Sequence, residues 1–117
     1  MAKFDNNALQ NRFKIWCYTC LDACKIANPN DEHRVITKQL IRSATSTHIN
    51  YRAVIRAKSK ADIINKLKVV EEELDESIGW MEVLQDRHNI DTALIQKEGT
   101  ELLRILISSI LTLKSYN

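Results

Sequence analysis

Two glycines and one proline in 117 residues leave this chain few places to turn sharply. A sandwich or barrel of short strands needs turn residues at every reversal, whereas a few long helices need almost none. The length suffices for one hydrophobic core and not for two. One all-α domain spanning 1–117 is therefore expected, folded as an antiparallel up-and-down four-helix bundle.

Apolar spacing places the helices at about 6–27, 35–57, 60–86 and 92–114. In the first, Leu9, Phe13, Trp16, Cys20, Cys24 and Ala27 recur in steps of three and four, which puts them on one face. Asn28-Pro29-Asn30-Asp31 then makes a turn, since proline drives its predecessor out of the α region and Asn and Asp bond their own backbone. The second stripe is Ile36, Leu40, Ala44, Thr47 or His48, Tyr51 and Val54 or Ile55, with its start open between Asp31 and Thr37. Ser59 followed by Asp62 reads as a helix cap with an acid three residues on, so Lys58-Ser59 is the second turn. Ile63, Leu67, Val70, Leu74, Ser77, Met81 and Leu84 form the cleanest heptad, the third helix's seam. Asp86 to Ile90 breaks the pattern, and Asp91 is a cap for the fourth helix. Helices of roughly 20 to 28 residues at ~1.5 Å per residue make a rod about 30–40 Å long.

The fourth helix carries Leu102, Leu103, Ile105, Leu106, Ile107, Ile110, Leu111 and Leu113, a wider apolar surface than one bundle needs to cover. Either this helix is the most buried element of the bundle or its outer side meets another subunit; the second is the expectation, a homo-oligomer with Leu103, Ile107, Ile110 and Leu111 at the subunit interface. No segment approaches the ~18 uninterrupted apolar residues of a membrane span, and Met1 to Asn6 lack the apolar run of a signal peptide. The expectation is a cytoplasmic protein with no membrane partner. Cys17, Cys20 and Cys24 are odd in number and share one helical stripe, which suits reduced core thiols.

Charge is segregated along the chain. Between His33 and Val70 nine bases, Arg34, Lys38, Arg42, Arg52, Arg56, Lys58, Lys60, Lys66 and Lys68, face the single acid Asp62. From Glu71 to Asp91 eight acids face only Arg87. The tip of the helix 2–3 hairpin is thus basic and the far end of helix 3 acidic. One reading is a solvated face with pairing between subunits. The other is a phosphate-binding patch of Arg52, Arg56, Lys58, Lys60, Lys66 and Lys68 that contacts RNA or DNA, without aromatic residues interleaved for base stacking. Antiparallel pairing about the turn also sets Arg42 level with Asp75 and Glu76, a structural ion pair that fixes register more than it stabilises.

No catalytic constellation is present. Three cysteines on one straight helix cannot surround a tetrahedral metal, and there is no Glu-x-x-His pair for a di-iron site. His33 and His88 fall in expected turns, and His48 in the bundle. Ser43, Thr45, Ser46 and Thr47 have no neighbouring base, and no glycine-rich loop exists for phosphates. Neither enzyme activity, metal nor cofactor is expected. The alternative to nucleic-acid binding is a structural or protein–protein interaction module.

Gln39-Leu40-Ile41-Arg42-Ser43-Ala44-Thr45-Ser46, then Asn50, Ser59 with Asp62-Ile63, and Glu73-Leu74-Asp75-Glu76-Ser77 ending in Trp80-Met81 together resemble the bacterial 23S rRNA intervening-sequence proteins, also called four helix bundle proteins. That family's pattern runs Gln-x-x-Arg-Ser-x-x-Ser, Asn, a serine before helix 3, Glu-x-x-Glu-Thr and Trp-Leu. The match covers about half the chain. It departs where the family commonly has Asn-Ile-x-Glu, since Asn50 is followed by Tyr51-Arg52-Ala53, and where Gly79 replaces an aromatic before Trp80. The resemblance implies a homopentameric ring of four-helix bundles. It also brings in a related protein, the accessory variability determinant of diversity-generating retroelements, a basic pentamer that binds a reverse transcriptase and nucleic acid.

Overall fold

The computed structural model describes residues 7–115, so the expected helix start at Asn6 and the segment 1–6, expected to be no signal peptide, lie outside the described residues. Four helices run α1 (Asn7–Ala23), α2 (Asp31–Val54), α3 (Lys60–His88) and α4 (Ala93–Ser115). Each packs antiparallel on the next, and α4 returns to meet α1. The rod measures 52 × 21 × 20 Å, longer than the helix lengths predicted. Much of the difference lies in α3, whose 29 residues alone span about 43 Å.

The stripes read from spacing are the core. Ile36, Leu40, Ala44, Thr47, Tyr51 and Val54 of α2, and Ile63, Leu67, Val70, Leu74, Ser77, Met81 and Leu84 of α3, are all buried. From α1 come Phe13, Trp16, Cys17 and Cys20, with Cys24 just past its end and Phe13 stacked on Tyr51 at 4.4 Å between ring centroids. Burial pushes the Cys24 thiol up to about 11 and raises Cys17 and Cys20 as well, as expected of unreactive core thiols. Ala27 belongs to no stripe: α1 stops at Ala23, and Ala27 is exposed.

Several helix ends differ from the sequence reading, though Ser59 caps the start of α3 as expected. Asn30 does not continue the turn but accepts the His33 N–H at 2.8 Å, so α2 starts at Asp31, with two acids in its first turn. The expected break at Asp86 is absent. Arg87 and His88 sit in the last turn of α3, where cations suit the carbonyl end, and Asn89 ends the helix in the left-handed conformation (φ 55°). Asp91 accepts the Ala93 N–H at 3.0 Å, as expected of a cap, but the first helical bond of α4, Gln96 N–H to a carbonyl at 2.9 Å, goes to Thr92.

Arg42 pairs across the α2–α3 seam with Glu73, at 3.0 Å, and with Glu76. Asp75, expected opposite Arg42, is exposed instead. Residues three apart share a helix face, and Asp75 lies between the two that face α2. Among the fourth helix's expected interface residues, Ile110 is in the core at 5% exposure, Leu103 is half-buried against it, and only Ile107 (40%) and Leu111 (62%) face outward.

Candidate nucleic-acid interface

The basic end of the rod is built by the C-terminus of α2, the N-terminus of α3 and the C-terminus of α4. Ser59 Oγ accepts the Asp62 N–H at 3.1 Å, and the Asp62 carboxylate reaches back to accept the Lys58 N–H at 3.0 Å. The same carboxylate accepts from Lys66 Nζ at 3.1 Å. First the Lys58 amide and then the Lys66 ammonium hold Asp62 below the usual carboxylate range. The one acid of the basic stretch is therefore spent inside the turn, and it neutralises Lys66. Lys60 opens α3 half-buried and is engaged within the chain.

Arg52, Arg56, Lys58 and Lys68 remain exposed, and none makes an ion pair with a described residue. The sequence reading missed Lys114. It lies beside Lys68, whose ammonium pushes that of Lys114 below the ordinary lysine range. Nothing in the sequence links residues 46 positions apart on different helices; only the α3–α4 packing does.

Elsewhere some of the charged residues are paired within the chain. Arg34 meets Asp31 and Arg87 meets Glu32 at the opposite end. His33 and His88 are helical rather than in turns, and their rings meet edge to face at 5.5 Å, with His88 Nε2 3.0 Å from Glu32 Oε1. No cluster of three metal-ligating side chains occurs among the described residues. A shallow apolar groove of about 200 Å³ between α1 and α4 is lined by Ile15, Trp16, Thr19, Leu94 and Ile95, with its flanking charges Arg12 and Glu98 locked together at 2.8 Å. That is smaller than the roughly 300–1,000 Å³ of ordinary small-molecule pockets. No helix of the described residues is long and apolar enough to cross a membrane.

The same bundle occurs in a solved structure described as a protein of unknown function from the S23 ribosomal protein family of Bacteroides thetaiotaomicron. It is 30% identical to this chain with a TM-score of 0.79, over 87% of this chain and 97% of that one. The chain belongs to the S23 ribosomal protein family. This is the 23S rRNA intervening-sequence group that the α2–α3 motifs pointed to. No family model and no curated protein matches the chain.

In this S23-family chain the motif residues hold the α2–α3 hairpin together rather than line a cavity. Arg42 grips Glu73 and Glu76; Trp80 Nε1 donates to the same Glu76 carboxylate at 3.2 Å. Arg42 first and Trp80 second keep Glu76 below the usual carboxylate range. One residue along, the buried hydroxyls of Ser43 and Ser77 hydrogen-bond across the helices at 2.7 Å. Two hydroxyls at a helix crossing let the backbones approach closely, and the guanidinium outside them sets the register.

Proposed function

We propose that this S23-family protein is a non-enzymatic, self-associating four-helix bundle, a pentamer by family resemblance, whose basic end contacts the phosphates of RNA or DNA. The observation that carries the reading is the set of Arg52, Arg56, Lys58 and Lys68, exposed at one end and in no ion pair with a described residue, while Asp62 is consumed by the turn. A paired cation must give up its carboxylate to meet a phosphate, whereas an unpaired one neutralises the phosphate and releases its counterions at no such loss. Self-association is supported by Ile107 and Leu111, apolar side chains turned to the outside of α4.

Filter binding to a mixed-sequence duplex tests it. Four phosphate contacts give a salt slope near −3.6, which is a loss on the order of a hundredfold in affinity between about 50 and 200 mM salt. Arg56→Glu with Lys58→Glu should abolish binding without altering the circular dichroism of the bundle. Absence of affinity at low salt would leave the protein as an interaction module only.

A further inference from the structure

Tyr18 of α1 and His48 of α2 face each other across the α1–α2 groove, ring centroids 6.4 Å apart and nearly perpendicular at 79°. Tyr18 is 51% exposed, unlike Tyr51, whose ring is 1% exposed and stacked in the core. Four residues from Tyr18 along α1 stands Lys14, and four from His48 along α2 stands Arg52. Because the helices are antiparallel, both steps lead toward the basic end, and they bring two cations to one level of the groove. Lys14 and Arg52 are exposed and make no ion pair with a described residue. Both act on His48, which burial and then these two charges hold in its neutral form.

We propose that Lys14, Tyr18, His48 and Arg52 form a nucleotide subsite for single-stranded nucleic acid, with a phosphate between Lys14 and Arg52 and the unstacked base on the Tyr18 ring. The subsite rests on the nucleic-acid reading above and extends it from the rod's tip onto its α1–α2 side. An open aromatic face beside unpaired cations is what single strands require, since every base offers a π-face while the backbone offers charge. A duplex keeps its bases stacked and can use only the cations. Two like charges across a groove repel, and a phosphate between them removes that repulsion.

Fluorescence anisotropy of the full chain with three labelled probes tests this: a 15-nucleotide oligo-U, a 15-nucleotide oligo-dT and a 15-base-pair duplex. The oligo-U and oligo-dT arms separate an RNA source of the strand from a DNA one. Tyr18→Leu should weaken binding of at least one single strand about tenfold and leave the duplex unchanged, and Tyr18→Phe, which keeps the ring, should bind like the native chain. Lys14→Gln with Arg52→Gln should weaken all probes that bind. Unchanged single-strand affinity in Tyr18→Leu, or an equal loss on the duplex, overturns the subsite. If that happens while Arg56→Glu with Lys58→Glu still abolishes binding, the basic end stands and the subsite alone falls; if no probe binds at low salt, both fall.

Discussion

The hydroxyl of Thr92 is fully buried at the α3–α4 corner and has one proton for two acceptors, the Met81 carbonyl at 3.1 Å and Gln85 Oε1 at 3.2 Å. It also accepts from Gln96 Nε2 at 2.8 Å, and the Thr92 N–H donates to Gln85 at 2.9 Å. Replacing the hydroxyl with a methyl keeps the shape and strands Gln96 without its acceptor, so Thr92→Val should lower stability by about 1–2 kcal/mol in urea unfolding. Asp91 caps this corner as the sequence suggests, accepting the Ala93 N–H, but no sequence signal shows that the next residue is buried. His33 was misread: a turn was expected where Asn30 in fact starts a helix, and His33 is buried on its inner face. Burial first, then His88 and Arg34, hold the His33 imidazole below its ordinary value of 6.5, so the folded chain keeps it neutral. As pH falls below 6.5 the unfolded chain takes up a proton that the folded chain refuses, and stability declines. A His33→Phe variant should therefore lose less stability between about pH 7 and pH 5 than the native chain, with His48, shifted in the same direction, keeping some slope in both.

Helices were legible by their periodicity and, apart from the Ser59 cap that opens α3, much less so at their ends. The α3 heptad named all seven buried residues of that helix, because one apolar side chain per three or four residues has only one face to occupy. The ends depend on single hydrogen bonds, such as Asn30 Oδ1 to His33 N–H, and a cap side chain has no period to announce it. The two glycines show how context decides a residue's meaning within an element. A Cβ on Gly79 would meet nothing within 4 Å, whereas one on Gly99 would lie 3.1 Å from Trp16 Nε1 and 3.2 Å from Ile78 Cγ1. Trp16 crosses from α1 to donate its indole N–H to the Ile95 carbonyl at 3.2 Å, and Gly99 is the space it uses. Gly79→Ala should raise stability by about 0.5–1 kcal/mol through helix propensity alone. Gly99→Ala gains the same propensity but crowds Trp16, so its denaturation midpoint should fall below that of Gly79→Ala. A Gly99→Ala midpoint equal to that of Gly79→Ala would mean that Trp16 yields at no cost.

At the scale of the whole rod, charge polarity was readable from the chain because α2 and α3 are consecutive and their hairpin gathers neighbouring bases at one end. Lys114, Lys14 and Tyr18 were not readable, since they join that surface only through packing of α4 and α1. The apolar outer face divides in the same way: a wide stripe on α4 was evident, but which side each residue faces needed the fold, and Ile110 turned inward while Ile107 and Leu111 turned outward. This division supplies a test that keeps folding apart from assembly. Ile107→Glu with Leu111→Glu places charges where the single chain leaves both side chains in water, so the bundle keeps its helical signal and unfolding midpoint at low concentration. If copies of the chain cover that face, the native mass seen by light scattering drops from a multiple of the chain to the 13.5 kDa of one. Ile110→Glu serves as the contrast, because it buries a carboxylate in the core and should unfold the bundle whatever its assembly. A native protein that already scatters as a single chain across micromolar concentrations would assign the exposed leucine and isoleucine to ordinary surface, and the basic end would then act one bundle at a time.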